Sequence, residues 1–339
     1  MSSKQAGGLP LKRMGVIGAL VTAMAWPVST VGQPAPSAEV SAPVVVVGGA
    51  ATSPSGPRYP IVLVHGMMGF KELDLGWLGK LPYWRGIVDA LVAEGATVRV
   101  VQVSAFNTSE VRGEQLIPQV EQILRETGAQ KVHLIGHSHG SQTSRYVAGK
   151  KPEWVASVTA VAGPTFGSEF GDWMQKQVKD DTWAAGLIMG LGHQIGRFVN
   201  WASGTDLPQD VGAALASLHS EGAADFNRRF PGGVPAEPCG QGAAQADGVR
   251  YYSWSGVGTF HNWLNPADYQ MALTGLAFSK EEGDGLVGRC ASHLGQVIRD
   301  DLPLNHFQIV NQIGGLVGEG ADPIGPYVEH ARRLKALGL

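Results

Sequence analysis

Residues 61–64, Ile-Val-Leu-Val, form an unbroken apolar run that stops at His65-Gly66. A segment with no polar face to offer water predicts a central parallel strand covered on both sides. Comparable runs recur at 97–103, 131–135, 157–161 and 250–254. Between them, apolar positions fall at helical spacing. Residues 83–94 stop at Gly95, residues 110–126 stop at Gly128 with Pro118 as a kink point, and a third helix runs from 139 or 140 to about 149. Short branched strands alternating with helices predict a mostly parallel sheet with helices on both faces. After Gly163 the alternation breaks. Residues 166–230 carry helical patterns rich in Trp, Met and Phe, among them Trp173, Met174, Trp183, Met189, Phe198 and Trp201. This predicts an inserted helical subdomain with its own small core, compatible with a lid over a site. Further helices are expected from Pro266 to about 278, over 306–313 and over 323–337.

The two ends of the pattern bound the organisation. Lys4, Lys12 and Arg13 precede the apolar run 14–26, which reads as a secretory signal peptide and is too short for a comfortable membrane span. A small-residue cut fits at Ala23-Met24-Ala25, or later near Ala35 or Ala38. Residues 1–38 are therefore expected to be signal and leader, 39–57 a low-complexity linker, and 58–339 one domain with an insertion near 165–220. No permanent membrane span is expected in the mature protein. With 26 basic and 29 acidic residues the net charge is −3, which supplies no broad positive field for a nucleic-acid backbone. The two cysteines, Cys239 and Cys290, can pair in an exported protein, whereas they are too few and too far apart to suggest a metal cluster.

The chemistry concentrates at Gly136-His137-Ser138-His139-Gly140, directly after the strand 131–135. In a G-x-S-x-G turn between strand and helix, the glycines remove side chains that would crowd the bend, and the serine hydroxyl is held clear of the sheet. This predicts an α/β-hydrolase fold with Ser138 as nucleophile. A neutral hydroxyl needs a base, and in this architecture an acid and then a histidine follow the serine. Asp284, in the turn 281–285, and His306 satisfy that order. Glu281, Glu282, Asp300 and Asp301 are competing acids, while His293 reads as a surface residue near Cys290. The oxyanion donors are expected at the backbone N–H of His139, after the nucleophile, and of Met67, in the loop after the first central strand.

These blocks resemble the bacterial true lipases of the Pseudomonas and Burkholderia type. The resemblance is carried by Tyr59 through Gly66, Arg112-Gly113-Glu114-Gln115-Leu116, Val132 through Gly140, Ser144 through Ala148, Ser157-Val158-Thr159, Gly283 through Val287, and Asn305-His306. It implies a triad of Ser138, Asp284 and His306, oxyanion donors at Met67 and His139, and a Cys239–Cys290 disulfide. It also implies secretion through the periplasm, an acylglycerol ester as substrate at a lipid–water surface, and a membrane-bound foldase as a partner. The family's structural calcium is the point of departure. Its two aspartates correspond here to Asn265 and Gln308, with Gln312 and the Leu316 carbonyl as remaining ligand candidates. Losing both charges weakens a site for a hard cation, so calcium is expected to be weak or absent. Rival readings are an extracellular polyester depolymerase, a soluble carboxylesterase, and a secreted binding protein that has lost catalysis; the triad alone does not separate the first two from a lipase.

Overall fold

The computed structural model describes residues 45–46, 56–180 and 183–339. The expected signal peptide and most of the linker lie outside the described residues. In chain order the strands and helices begin with β1 (Val45–Val46), β2 (Ile61–Val64), β3 (Glu72–Asp74), β4 (Lys80–Pro82), α1 (Ile87–Ala93) and β5 (Val98–Val100). There follow α2 (Ser109–Thr127), β6 (Val132–His137), α3 (His139–Lys150) and β7 (Val155–Val161). Four helices are then inserted: α4 (Glu169–Lys179), α5 (Trp183–Ser203), α6 (Val211–Leu218) and α7 (Ser220–Arg229). The chain ends through β8 (Gln245–Ala246), β9 (Val249–Gly256), α8 (Pro266–Gly275), β10 (Gln296–Leu302) and α9 (Gly325–Ala336).

The main sheet has the order β1-β5-β2-β6-β7-β9-β10, with β8 paired to β9. All its strands run parallel except the short β1 and β8. The side-chain alternation of β2 explains why it had to be apolar throughout. Ile61 and Leu63 enter one core, with Trp84, Ile87 and Leu91 beside α1 and Tyr327 and Ala331 of α9. Val62 and Val64 enter the other, with Leu116, Val120 and Ile123 of α2 and Val147 of α3. All four β2 side chains are fully buried, as a strand with helices on both faces requires.

Three details differ from expectation. The strand β10 was not anticipated, because Gln-Val-Ile-Arg-Asp-Asp-Leu at the sheet edge is half exposed and lacks the apolar continuity of β2. The helix expected over 306–313 is replaced by two 3-10 turns, Gln308–Val310 and Ile313–Gly315; Asn311 at φ 56° follows the first, and Ile313 at φ 54° opens the second. Helix α1 begins at Ile87 rather than 83, because Gly86 adopts φ 71° and Tyr83 and Trp84 turn into the core before it. By contrast α2 continues through Pro118, capped at its start by the Thr108 hydroxyl and at its end by Gly128 at φ 66°. Cys239 and Cys290 form the expected disulfide.

The inserted helices stand where the lid is expected. Met174 and Met189 turn toward the main core, and Gly192 of α5 meets the Val211 side chain of α6. Phe198 and Trp201 remain exposed on α5, Trp201 at 73%. Among the described residues no helix is long and apolar enough to cross a membrane.

Candidate active site

The site is built at the carboxyl end of β6, where a strand must become a helix within one residue. Ser138 makes that turn at φ 53°, ψ −127°, outside the conformations a side-chain-bearing residue normally adopts. Its N–H donates to the Val161 carbonyl of the neighbouring strand, which anchors the bend. The flanking glycines have a steric cause. A β-carbon on Gly136 would stand 2.2 Å from the Gly140 carbonyl oxygen, and one on Gly140 would stand 2.3 Å from the Val64 oxygen. Gly140→Ala is therefore expected to destabilise the protein by at least about 1–3 kcal/mol, read as a lowered melting temperature, because two backbones must separate.

His306 follows β10 on the loop that replaced the expected helix. Its Nδ1–H donates to Asp284 Oδ2 at 2.8 Å, and its backbone N–H donates to the Asp284 carbonyl at 3.0 Å. Asp284 is in turn held by Leu286 and Val287, whose N–H groups donate to Oδ1 at 3.0 and 2.8 Å. Both side chains are almost completely buried. The His306 ring lies 4.7 Å, centroid to centroid, from that of His137, the residue immediately before Ser138. With Nδ1 committed to the carboxylate, Nε2 is the atom left to exchange a proton with the serine.

Of the competing acids, Glu282 is exposed, and the other three are engaged elsewhere. Asp300 pairs with Arg289 and accepts from His293 Nε2 at 3.1 Å, so His293 is a buried hydrogen-bond partner and not the expected surface residue. Glu281 is spent on the Cys290 and Ala291 N–H groups, and Asp301 pairs with exposed Arg299.

A second serine–histidine contact joins Ser109 Oγ to His139 Nε2 at 3.0 Å. It lacks the features of an activated nucleophile. Ser109 is buried at the start of α2, and His139 Nδ1 is buried with no hydrogen-bond partner among the described residues. Burial, then the charge of Arg112, hold the His139 pKa well below its usual value. With neither carboxylate nor access, this pair packs α2 against α3, and His139 is relevant to the site through its backbone N–H.

The loop after β2, where the second oxyanion donor is expected, lies against Ser138. A β-carbon on Gly66 would stand 2.9 Å from that of Ser138. In this loop the Gly66 N–H donates to the Tyr83 hydroxyl, Met68 to the Ala105 carbonyl and Gly69 to the Gly66 carbonyl. Met67 lies between these anchored residues, where the second oxyanion donor is expected. Arg112, not singled out for a role from sequence, fixes the loop from beneath. Its guanidinium donates to the carbonyls of His65 (2.6 Å), Gly66 (3.2 Å) and Ser104 (2.8 Å). Burial lowers its pKa to about 9, still above neutrality, so it stays charged and needs those carbonyls. The signal was legible only as a charged residue with apolar neighbours in the helix 110–126.

Asn265, Gln308 and the Leu316 carbonyl do come together. Asn265 Oδ1 accepts from Ala267 N, and Gln308 Oε1 accepts from Asn305 N, which turns both amide NH2 groups inward. They donate to the Leu316 carbonyl at 2.8 and 3.2 Å. Buried Asp268 accepts from Asn305, Gln308, His261 and Asn262. Gln312 instead donates to the Tyr83 carbonyl. A calcium ion needs converging oxygens, whereas this arrangement presents amide hydrogens to the central carbonyl.

A model of the alpha/beta hydrolase fold family matches residues 59–308. The chain is 47% identical over 287 residues to a triacylglycerol lipase of Vibrio cholerae, spanning 83% of this chain and 89% of that one. It is 42% identical over 291 residues to a triacylglycerol lipase of Pseudomonas fragi, spanning 83% and 98%. A triacylglycerol lipase of Burkholderia plantarii is 36% identical over 327 residues, 86% and 89% of the two chains. Among solved structures, the mature Bacillus licheniformis lipase BlEst2 superposes with a TM-score of 0.54 at 17% identity, covering 79% of this chain and 93% of that one, a likeness of fold.

Proposed function

Because this chain belongs to the α/β-hydrolase family, related within it to bacterial triacylglycerol lipases, we propose that it hydrolyses esters of water-insoluble acylglycerols from Ser138. The observation that carries this reading is the buried Asp284–His306 hydrogen bond beside the strained Ser138 turn. His306 takes the hydroxyl proton as Ser138 Oγ attacks the ester carbonyl, and the N–H groups of Met67 and His139 receive the oxyanion. The proton then passes to the leaving alcohol. Water, activated by the same imidazole, releases the fatty acid and restores the serine.

The lipid character of the substrate is supported by its relatives and by the exposed aromatics of the lid, Phe198 and Trp201. Fatty-acid release from emulsified long-chain triacylglycerol, measured beside turnover of a short soluble ester and erosion of a polyester film, tests it. Faster turnover of the emulsion supports the lipase reading. Activity confined to the soluble ester would make the protein a carboxylesterase, and activity confined to the film a depolymerase. We extend the proposal to export, with the disulfide closed in the periplasm and a membrane-bound foldase assisting, as the family resemblance implies.

We also propose that hydrolysis requires no cation, since the amide network around Asp268 holds the His306 loop directly. Exhaustive chelation is expected to leave activity and melting temperature unchanged. Loss on chelation with recovery on added calcium would refute this.

A further inference from the structure

Tyr83 stands where three parts of the site meet. It precedes α1, its ring is buried edge-on to Phe70 and Trp84, and its hydroxyl lies between the oxyanion loop and the nucleophile turn. The Gly66 N–H can only donate, so in the 3.2 Å contact the hydroxyl oxygen accepts. The hydroxyl proton is then free for His137 Nδ1, 2.7 Å away. This leaves His137 with its proton on Nε2 and sets its ring beside that of His306. The Tyr83 carbonyl accepts from Gln312, beyond the His306 loop, at 3.1 Å. One residue thus bonds to the oxyanion loop, the nucleophile turn and the segment after the triad histidine.

We propose that Tyr83 is a positioning residue for ester hydrolysis, its hydroxyl fixing the oxyanion loop at Gly66 against the nucleophile turn at His137. The inference rests on the serine-hydrolase reading of Ser138. Arg112 holds the His65 and Gly66 carbonyls, and the Tyr83 hydroxyl holds the Gly66 N–H, so the His65–Gly66 peptide is pinned at both ends and the next peptide, which carries the Met67 N–H, is held at its carbonyl. Oxyanion donors act only when they meet the developing charge at hydrogen-bond distance, so a small displacement of this peptide weakens the transition state more than the bound ester. His137 is suited to its place because it stays neutral. Burial, and then the nearby His306, hold its pKa well below the ordinary histidine value, so no second cation opposes the imidazolium that His306 becomes.

The test uses Tyr83→Phe in the full chain, which keeps the ring and removes the hydroxyl. On a short soluble ester, kcat is expected to fall about 10–100-fold, less than the roughly 100–1,000-fold of losing an oxyanion donor outright. KM should remain within about threefold. His137→Phe removes the acceptor of the same hydroxyl, and the double variant should be no slower than the slower single one, because both break one connection. An unchanged kcat in Tyr83→Phe, a loss confined to KM, or fully additive losses would overturn the inference. Should Tyr83→Phe not fold, His137→Phe alone decides: kcat must fall at constant KM, and unchanged kcat overturns it. Ser138→Ala run in parallel separates the two readings. If that variant is inactive while Tyr83→Phe is unaffected, only the role of Tyr83 fails; if it is fully active, the serine-hydrolase reading itself fails.

Discussion

Ser138→Ala is expected to lower kcat by about a million-fold, to the residual rate that an oxyanion hole and substrate binding sustain without a nucleophile. At 1.36 kcal/mol per factor of ten, that corresponds to about 8 kcal/mol of lost transition-state stabilisation. The change removes one hydroxyl and leaves the elbow intact, since Gly136, Gly140 and the Ser138 N–H to Val161 contact are untouched. Melting temperature should therefore hold or rise, because an active-site residue retained in a strained conformation contributes chemistry rather than packing. A fluorescent phosphonate that forms a covalent bond with an activated serine should label the parent chain and not the variant. Labelling that persists in Ser138→Ala would move the nucleophile to another serine, and Ser109, beside His139, would be the first to replace. Among the described residues no carboxylate meets His139 Nδ1, which argues against that outcome. The same experiment excludes a binding protein that kept the fold without its chemistry.

The sequence made the scaffold readable where burial is symmetrical and repetitive. Ile61 to Val64 had to be a central strand because no residue in it tolerates water, and the elbow had to be a turn because glycine stands at both places where backbones touch. The edge strand β10 was hidden because an edge mixes exposed Arg299 and Asp301 with partly covered positions, so the pattern carries neither period clearly. The His306 loop was misread as helical for a different reason. Its apolar residues, Ile309 and Val310, are buried, but by a 3-10 turn closed with Asn311 in the left-handed region. Chemistry borne by one side chain was legible through motif order. Support shared among distant residues was not: Tyr83 and His137 are 54 positions apart, and Arg112 grips carbonyls 46 and 47 positions before it. No local pattern encodes a hydrogen bond to a backbone carbonyl across such a distance.

The second large effect is expected from Asp284→Asn, a near-isosteric change that separates orientation from shape. In the parent, one carboxylate oxygen holds the Leu286 and Val287 N–H groups and the other accepts the His306 Nδ1 proton. An asparagine has one accepting oxygen and one donating nitrogen. The two backbone N–H groups can only be satisfied by the oxygen, so the amide nitrogen must face His306. Nδ1 then has to accept, its proton moves to Nε2, and the imidazole meets Ser138 with a donor where a base is needed. The expected loss in kcat is about ten-thousand-fold, with the fold preserved because every buried partner of the side chain still has a bond. Asp284→Ala would be less informative, since it would strand the Leu286 and Val287 N–H groups and mix destabilisation with lost catalysis. Circular dichroism and melting temperature matching the parent, together with the kinetic loss, would isolate the tautomer effect. A loss below about tenfold would remove Asp284 from the triad. Asp300 and Glu281 could then serve only by leaving Arg289, His293 and the Cys290 and Ala291 backbone, which makes that outcome the harder one to build from these contacts.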